Sequence, residues 1–387
     1  MLLELRCKKQ ACFSPFPHLL FRALLLSLSH LSFPPFLSSL RRQGSRALNF
    51  IWIPIIFLLF VSFSTPLYAK DYNHFGPIGV RIQNPLYLQN LGLTPRRAQT
   101  LKKRQLEVYG DSSYSNMFET GMNNNNELWL DMELWRIGFN VNYGLSDDFE
   151  VGLELPFYHM WGGFLDGFIE DFHKAFGFPN GGRERFPKNQ YHYYYKRRGV
   201  DIFNYPSQMF SVGDLKLSLK NKIVDETRLK PLISWFAELK FPTGDEGAGI
   251  SNGELDFGLG VALQKSYKRF HTYFNAEYIV SGGNSKFGTD VHIQNLAYMI
   301  AFELTILPTW SAILQLNGAT PLYSGTGMKE FEGVPLDLVV GFRGEEPGLI
   351  KGNDLFWQFG FTEDILSDGP SVDFTVFMSL GFRFNSL

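Results

Sequence analysis

Histidines are the side chains of this sequence best suited to catalysis at a membrane, because lipid hydrolases and acyltransferases pair a histidine with a serine and an acid. His159 and His292 fall on the apolar side of their segments, and His271 falls on the polar side. None has an evident serine and acidic partner, and the sequence has no G-x-S-x-G motif. We predict no catalytic residues and no enzyme. The alternative, a lipid-modifying enzyme, requires Ser or Thr within hydrogen-bond reach of His159 or His292.

Metal and cofactor chemistry finds equally little support. His173 lies beside Asp171 and Glu170, but adjacent residues on a helix diverge, so a metal ion would need a ligand from another loop. The acidic loops lack the D-x-D-x-D-G pattern of a calcium site. Both cysteines, Cys7 and Cys12, lie at the amino terminus. We therefore predict no metal site and no cofactor.

The first 69 residues have the composition of an export leader. The apolar run from Asn49 to Ala69 follows Arg41, Arg42 and Arg46 and ends in small residues. We predict a leader over 1–69 with the signal core at 46–69, and a membrane anchor is the alternative. Residues 1–46 form a further basic segment, rich in Leu and Pro, that an ordinary signal peptide does not need.

Removing the leader changes the charge of the chain. The leader carries seven bases and one acid, so the formal net charge of −2 becomes −8 without it. A chain this acidic is not expected to bind nucleic acid. It also lacks cysteine, which suits a protein that crosses an oxidising compartment.

Beyond residue 103 the chain alternates between apolar and polar residues. No apolar run there reaches the roughly 18 residues of a spanning helix. The last alternating stretch, Val372 to Phe384, puts apolar residues on one face and ends on an aromatic residue. In this it resembles the carboxyl-terminal signal of bacterial outer-membrane barrels. About twelve stretches of this kind predict an all-β fold, a transmembrane antiparallel up-and-down barrel over 104–387. A soluble sandwich or lipocalin-like barrel is the alternative.

The connections between these stretches differ in length on the two sides. One side has short turns near 144–148, 225–230, 265–268 and 307–309, with 343–354 as its longest connection. The other side has mostly long loops, the longest being 159–206, which is the pattern of outer-membrane barrels. Near Trp135 the alternation slips by one residue, which predicts a bulge.

The predicted inner face of the barrel carries more acids than bases. This favours a hydrated path for cations, and the alternative is that the charges pair across a narrow lumen and close it. The predicted lumen-lining residues are Glu107, Asp131, Glu133, Glu150, Glu154, Lys216, Lys220, Glu238, Lys240, Glu254, Asp256, Glu277, Glu303, Asp337 and Arg343.

Two segments outside the strands bear on access to the lumen. Residues 70–103 precede the first strand and either enter the barrel as a plug or lie against it. In the long loop, apolar residues recur at helical spacing and predict a short amphipathic helix. That helix lies on the outer leaflet, covers the mouth as a lid, or packs on neighbouring loops. The predicted lid residues are Phe164, Asp166, Phe168, Ile169, Glu170, Phe172 and His173.

Four sequence stretches together resemble one known family. They are N-P-L-Y from Asn84, Y-G-L-S-D-D-F-E-V-G-L-E-L-P-F from Tyr143, G-F-L-D-G-F-I-E-D-F-H from Gly163, and F-G-F-T-E-D from Phe359. The chain resembles an uncharacterised outer-membrane barrel family, DUF3187, over essentially its whole mature length. A shorter stretch, K-F-P-T-G-D from Lys240, is similar to barrels associated with degradation of aromatic compounds. The family resemblance implies a barrel and no particular activity.

We predict an outer-membrane barrel of a Gram-negative bacterium that acts as a channel or transporter for a small solute. The alternatives are a lipid-modifying enzyme and a structural barrel with a sealed lumen. Expected partners are outer-membrane lipids, lipopolysaccharide and the barrel-assembly machinery. Lys196, Arg197 and Arg198 are candidates for contact with lipopolysaccharide phosphates, with a solvated charge run as the alternative.

Overall fold

The computed structural model describes residues 73–385 except 178–179, 285, 287–290, 351, 367–368 and 371. The predicted leader, residues 1–69, lies outside the described residues. Twelve long strands form the wall: β1 (Leu106–Met122), β2 (Asn126–Gly144), β3 (Phe149–Trp161), β7 (Leu215–Val224), β8 (Leu232–Phe241), β9 (Asp256–Tyr267), β10 (Phe270–Val280), β11 (Gln294–Leu307), β12 (Trp310–Ala319), β13 (Leu336–Ile350), β14 (Asn353–Asp364) and β15 (Phe374–Phe384).

Shorter elements occupy the connections. Three strands, β4 (His192–Arg197), β5 (Val200–Asn204) and β6 (Gln208–Val212), extend the sheet at one end of the barrel. The helices are α1 (Pro85–Leu88), α2 (Asp166–Phe176) and α3 (Lys329–Glu332), with 3-10 turns at Arg183–Arg185 and Glu246–Ala248. Among the described residues, every helix is too short or too polar to cross a membrane.

The first and last strands close the barrel. β1 pairs antiparallel with β15 from Leu106 opposite Phe384 to Asn116 opposite Phe374. Val376, Met378 and Leu380 point outward and are exposed, and the intervening side chains, such as Ser379, are buried inside. Closure gives each of the twelve wall strands two neighbours, so the wall has no open edge. This confirms the prediction of a twelve-strand antiparallel barrel.

The short turns define one end of the barrel, called here the lower end, and the long loops define the upper end. The turns at 145–148, 225–231, 268–269 and 308–309 agree with the prediction. The predicted long connection at 343–354 is wrong, because β13 and β14 continue to Ile350 and Asn353. A register shift between Glu346 and Ile350 absorbs Pro347 and Gly348 within the strand pair.

The predicted bulge near Trp135 is also wrong. β2 pairs with β1 and with β3 through this region without a register shift. The apolar residues Leu128 to Leu134 therefore face inward in the upper part of the barrel, although Phe139 and Val141 face outward below them. The apolar face changes sides because the inward residues of the upper part of β2 belong to a buried core that includes Tyr193 and Tyr195 of the adjacent strand β4.

Candidate functional site: the filled lumen

Residues 73–102, called here the inner segment, run through the inside of the barrel. The segment begins at the lower end, where Asn73 Nδ2 donates to the carbonyl of Pro308, 3.2 Å away. It rises beside β11 and β12, turns at α1 near the upper end, and descends beside β9, β8 and β7. It reaches the lower end again at Leu101, whose amide donates to Glu150 over 2.7 Å.

The rising arm is held by polar side chains of the wall. Glu303 accepts from the amides of Phe75 and Gly76 at 2.8 and 3.1 Å. Gln315 accepts from the Ile78 amide at 2.9 Å and donates to the Ile78 carbonyl at 3.0 Å. The wall side chains therefore take the place of a neighbouring strand and satisfy a buried, irregular backbone.

The turn at the top of the inner segment is a single helical turn, α1, whose first residues are capped by a side chain. The Asn84 side chain accepts from the Leu86 amide at 2.9 Å, and Pro85 occupies the first helical position. All four residues of α1 are buried. Its backbone is tied to the upper loops, since Asn252 donates its amide to the Gln89 carbonyl at 3.2 Å.

The descending arm is held in the same way by β7 to β10. Asp256 accepts from the Leu91 amide at 2.8 Å, and Lys216 donates to the Thr94 hydroxyl at 2.8 Å. Arg96 forms an ion pair with Glu238, and its guanidinium lies 4.2 Å from the centre of the Phe236 ring. Both arms are thus anchored to the wall through hydrogen bonds and charge.

The charges of the inner segment and the wall are complementary. Residues 73–102 contain Arg81, Arg96, Arg97 and Lys102 and no acid. Of the predicted lumen-lining residues, the structure places these on the inward side of the strands: Glu107, Glu150, Glu154, Lys216, Lys220, Glu238, Lys240, Asp256, Glu277, Glu303, Asp337 and Arg343. Many of the acids contact the inner segment or a base on a neighbouring strand.

Three predicted lumen residues lie elsewhere. Asp131 and Glu133 are buried on the outer side of β2, because the expected bulge that would have turned them inward is absent. Glu133 accepts from the Phe164 amide at 2.7 Å, beneath the long loop. Glu254 precedes β9 and is exposed, so it lies outside the alternation that was extended to it.

Helix α2 lies against the outer wall and not over the mouth, so the structure contradicts its placement as a lid. The rings of Phe168 and Phe172 lie 6.0 and 5.2 Å from that of Phe374, an outward residue of β15. Asp166, predicted to face away from the apolar side, is buried and accepts from Asn116 Nδ2 at 2.9 Å.

The burial and contacts of the remaining predicted lid residues agree with a position of α2 on the outer wall. Ile169 and His173 are buried on the wall side, with His173 Nε2 3.5 Å from Glu363, while Phe164 is 62% exposed. Glu170 pairs with Lys188 at 2.6 Å. Helical periodicity did not reveal the buried side, because the wall beneath α2 is polar as well as aromatic.

An aromatic cluster covers the inner segment at the upper end. Its buried members are Tyr193, Tyr195, Phe203, Tyr205, Tyr323 and Phe331. The hydroxyl of Tyr193 accepts from Gln89 Nε2 at 2.7 Å and donates to the Gly249 carbonyl at 3.2 Å. The alternation of Tyr193 and Tyr195 with His192 and Lys196 is the sequence signal for β4. We did not predict this aromatic cover, which packs over the top of the inner segment.

The loop that supplies Phe331 is itself well ordered by hydrogen bonds. Glu332 accepts from the Thr326 amide at 2.6 Å, the Thr326 hydroxyl at 2.9 Å and the Gly327 amide at 2.9 Å. Burial raises the pKa of Glu332, but these hydrogen bonds outweigh burial, so its pKa lies below the ordinary value. The charged carboxylate therefore stabilises the turn beside the aromatic cover.

The histidines do not form a catalytic arrangement in the described part of the chain. The His159 ring stacks on Phe210 at 5.2 Å, and neither His159 nor His292 has a hydrogen bond to Ser or Thr among the described residues. His271 Nε2 lies 3.1 Å from the Thr305 hydroxyl inside the lumen, where that hydroxyl also donates to the Asn73 carbonyl at 2.9 Å. The described residues hold no group of three or more His, Cys, Asp or Glu arranged to bind a metal ion.

Residues 52–384 match the model of a family described as "Protein of unknown function (DUF3187)". No curated protein matches the sequence. The predicted family resemblance is confirmed by the match.

Among solved structures, the chain is similar to the COG4313 outer membrane channel from Pseudomonas putida F1, with 13% identity and a TM-score of 0.49 over 76% of this chain and 100% of that one. The NanC porin matches with 8% identity and a TM-score of 0.40, over 72% and 98% of the two chains. The CymD monoaromatic hydrocarbon channel matches with 10% identity and a TM-score of 0.34, over 81% and 98%.

Proposed function

Because the chain belongs to the DUF3187 family, which carries no assigned activity, we propose a function from the geometry of its lumen. The protein is an outer-membrane channel or transporter for a small solute, and the inner segment, residues 73–102, is the plug that closes it at rest. The outward belt of apolar side chains, such as Leu259 and Val261, supports a position in lipid.

The observation that carries this proposal is the way in which the plug is held. A barrel that is only structural can fill its lumen with its own wall side chains. Here the wall side chains hold a separate piece of backbone, as Glu303 does for Phe75 and Gly76 and Gln315 does for Ile78. Each such hydrogen bond contributes a net of about 0.5–1.5 kcal/mol, because water can replace either partner. The plug also packs Ile78, Leu86 and Leu91 in the buried apolar core, so its release exposes these side chains as well as exchanging the hydrogen bonds with water.

Surface features favour the lipid partners. Phe164, just before α2, and Phe168, on α2, contact the outer wall but keep more than half of each ring exposed, where acyl chains or lipopolysaccharide would lie. Arg198 is exposed at the tip of the β4–β5 hairpin, which supports a contact with a headgroup phosphate. Insertion by the barrel-assembly machinery through β15 completes this proposal.

Single-channel recording tests the plug directly. The mature chain, residues 70–387, and a variant lacking 73–102 are refolded and compared in a planar bilayer. We expect the intact protein to be closed or weakly conducting, and the deletion variant to carry a large, steady, cation-selective current, because the acidic wall is then uncovered. A deletion lacking residues 163–182, which removes α2 from the outer wall, is the control and should behave like the intact protein. Silence from a folded plug-deletion barrel would favour a sealed structural barrel.

A further inference from the structure

The plug does not fill the lumen evenly. A crevice of about 110 Å³ lies between the plug and strands β1–β3 and β13–β15, with Lys220 of β7 at its border. Six bases line it: Arg81, Arg96, Arg97, Arg136, Lys220 and Arg343. Only four acids do so: Glu107, Asp111, Glu150 and Glu154. The excess is positive, although the wall taken alone is acidic.

The carboxylates of the crevice already have close basic partners. Glu107 lies 2.7 Å from Arg383, and Glu150 lies 3.0 Å from Lys220. Arg136 bridges Asp111 and Glu154. These acids are therefore not free to neutralise further cations.

Three guanidinium groups are left without a close carboxylate among the described residues. Arg81 donates to the carbonyls of Tyr87 and Asn90, at 3.0 and 2.7 Å, and its Nε has no hydrogen-bond partner. Arg343 donates to the carbonyl of Pro77 and has no carboxylate oxygen within 4.0 Å. The nearest carboxylate to Arg97 is that of Glu107, at 3.8 Å. Such charges are costly in a low-dielectric lumen unless an anion accompanies them.

Aromatic side chains line the same crevice. Tyr109 and Phe356 meet edge to face, with ring centres 5.6 Å apart, and Phe377 lies on the neighbouring strand. Planar guanidinium groups bind carboxylates through paired hydrogen bonds, and aromatic faces accommodate an apolar body. The crevice thus offers both an anion site and an apolar surface.

We propose that this crevice binds a small organic anion, a carboxylate with an apolar body, through Arg81, Arg97 and Arg343. The inference deepens the proposed function, since this anion is the class of solute that the channel admits. The plug then has two effects: it blocks the acidic lumen to cations, and its own arginines supply part of the anion site.

Calorimetric titration of the refolded mature chain with benzoate, benzamide and acetate tests the site. Benzoate and benzamide share a ring and differ in charge, while acetate keeps the charge without the ring. We expect benzoate to bind at least tenfold more tightly than either of the others. Arg343→Gln and Arg97→Gln should each weaken benzoate binding at least tenfold. Arg185→Gln is the control, because Arg185 is an exposed base of the long loop that does not line the crevice, and benzoate binding should be unchanged.

Several results would overturn the site. Equal binding of benzamide would remove the need for charge, and full displacement of benzoate by equimolar chloride would reduce the site to a counter-ion position. Unchanged binding in folded Arg343→Gln and Arg97→Gln proteins would place the ligand elsewhere. Folding of each variant is checked by the shift of heated and unheated samples in gel electrophoresis.

The channel and the anion site can fail separately. Benzoate binding without solute flux in liposomes would keep the site and reject the channel. Flux of neutral solutes without benzoate binding would keep the channel and reject the site.

Discussion

The half of the lumen lined by β7–β12 and the half lined by β13–β15 and β1–β3 use similar polar side chains for different purposes. In the first half, wall groups such as Asp256, Gln315 and Glu303 bind the backbone of the plug directly. In the second half, wall acids such as Asp111 and Glu154 bind wall bases, and a crevice remains. A carboxylate of the wall therefore helps to hold the plug when it binds the plug backbone. Where the carboxylate binds a base of the wall instead, a crevice remains beside the plug.

The largest expected contrast between the halves comes from arginine. Arg96→Ala removes the closest partner of Glu238, which is 1% exposed, and leaves that buried carboxylate with only Lys216, 3.5 Å away. We expect a loss of about 3–5 kcal/mol in the free energy of unfolding. Arg343→Ala, in the crevice half, should cost no more than about 1.5 kcal/mol, because it removes a hydrogen bond and no close ion pair. Urea titrations of both variants in the same detergent measure the contrast, and equal costs would contradict it.

Glutamine gives a smaller and closely matched comparison. Gln315→Ala removes two hydrogen bonds to Ile78 and leaves the amide and the carbonyl of Ile78 buried without them. Each unpaired group should cost about 1–3 kcal/mol in the free energy of unfolding. Gln358→Ala removes one longer contact, 3.2 Å to the Gly79 amide beside the crevice, which solvent can replace. Hydrogen exchange of the plug amides should accelerate more in the first variant. The reverse order would mean that the crevice half holds the plug.

The start of α1 offers a third test, now of the turn that joins the two arms of the plug. Asn84→Ala removes the side chain that caps the Leu86 amide and should cost about 1 kcal/mol. We expect faster hydrogen exchange at residues 86–90 with little change in the barrel strands. Asn84→Ser, which keeps a capping oxygen, is the control and should retain most of the protection.

The smallest effect is expected outside the wall. Phe168→Ala removes ring contacts with Phe172 and Phe374 and should cost about 0.5–1.5 kcal/mol. Because α2 lies on the outer wall, single-channel conductance should stay the same as in the unmodified protein. A change in conductance would show that the outer helix controls the lumen.

Strand alternation was the strongest signal because it is local: each side chain of a strand points to the face opposite its neighbour's. The barrel, its twelve strands and four of the five lower turns followed from that rule. The rule failed in two places. Near Trp135 the apolar residues change from one face of β2 to the other without a bulge. Around Pro347 a register shift absorbs extra residues. Asp131 and Glu133 were assigned to the wrong face for this reason.

The amphipathic pattern of α2 was recognisable in the sequence, as were the polar residues of β7–β12. The path of residues 73–102 and the side of the wall that α2 covers were not, because both depend on contacts between residues more than 100 positions apart, such as Glu303 with Phe75 or Phe374 with Phe168. Local periodicity carries no information about such partners. The filled lumen, the arginines without a close carboxylate and the aromatic cover therefore emerge only when the chain is folded, since each depends on which distant charges and rings meet.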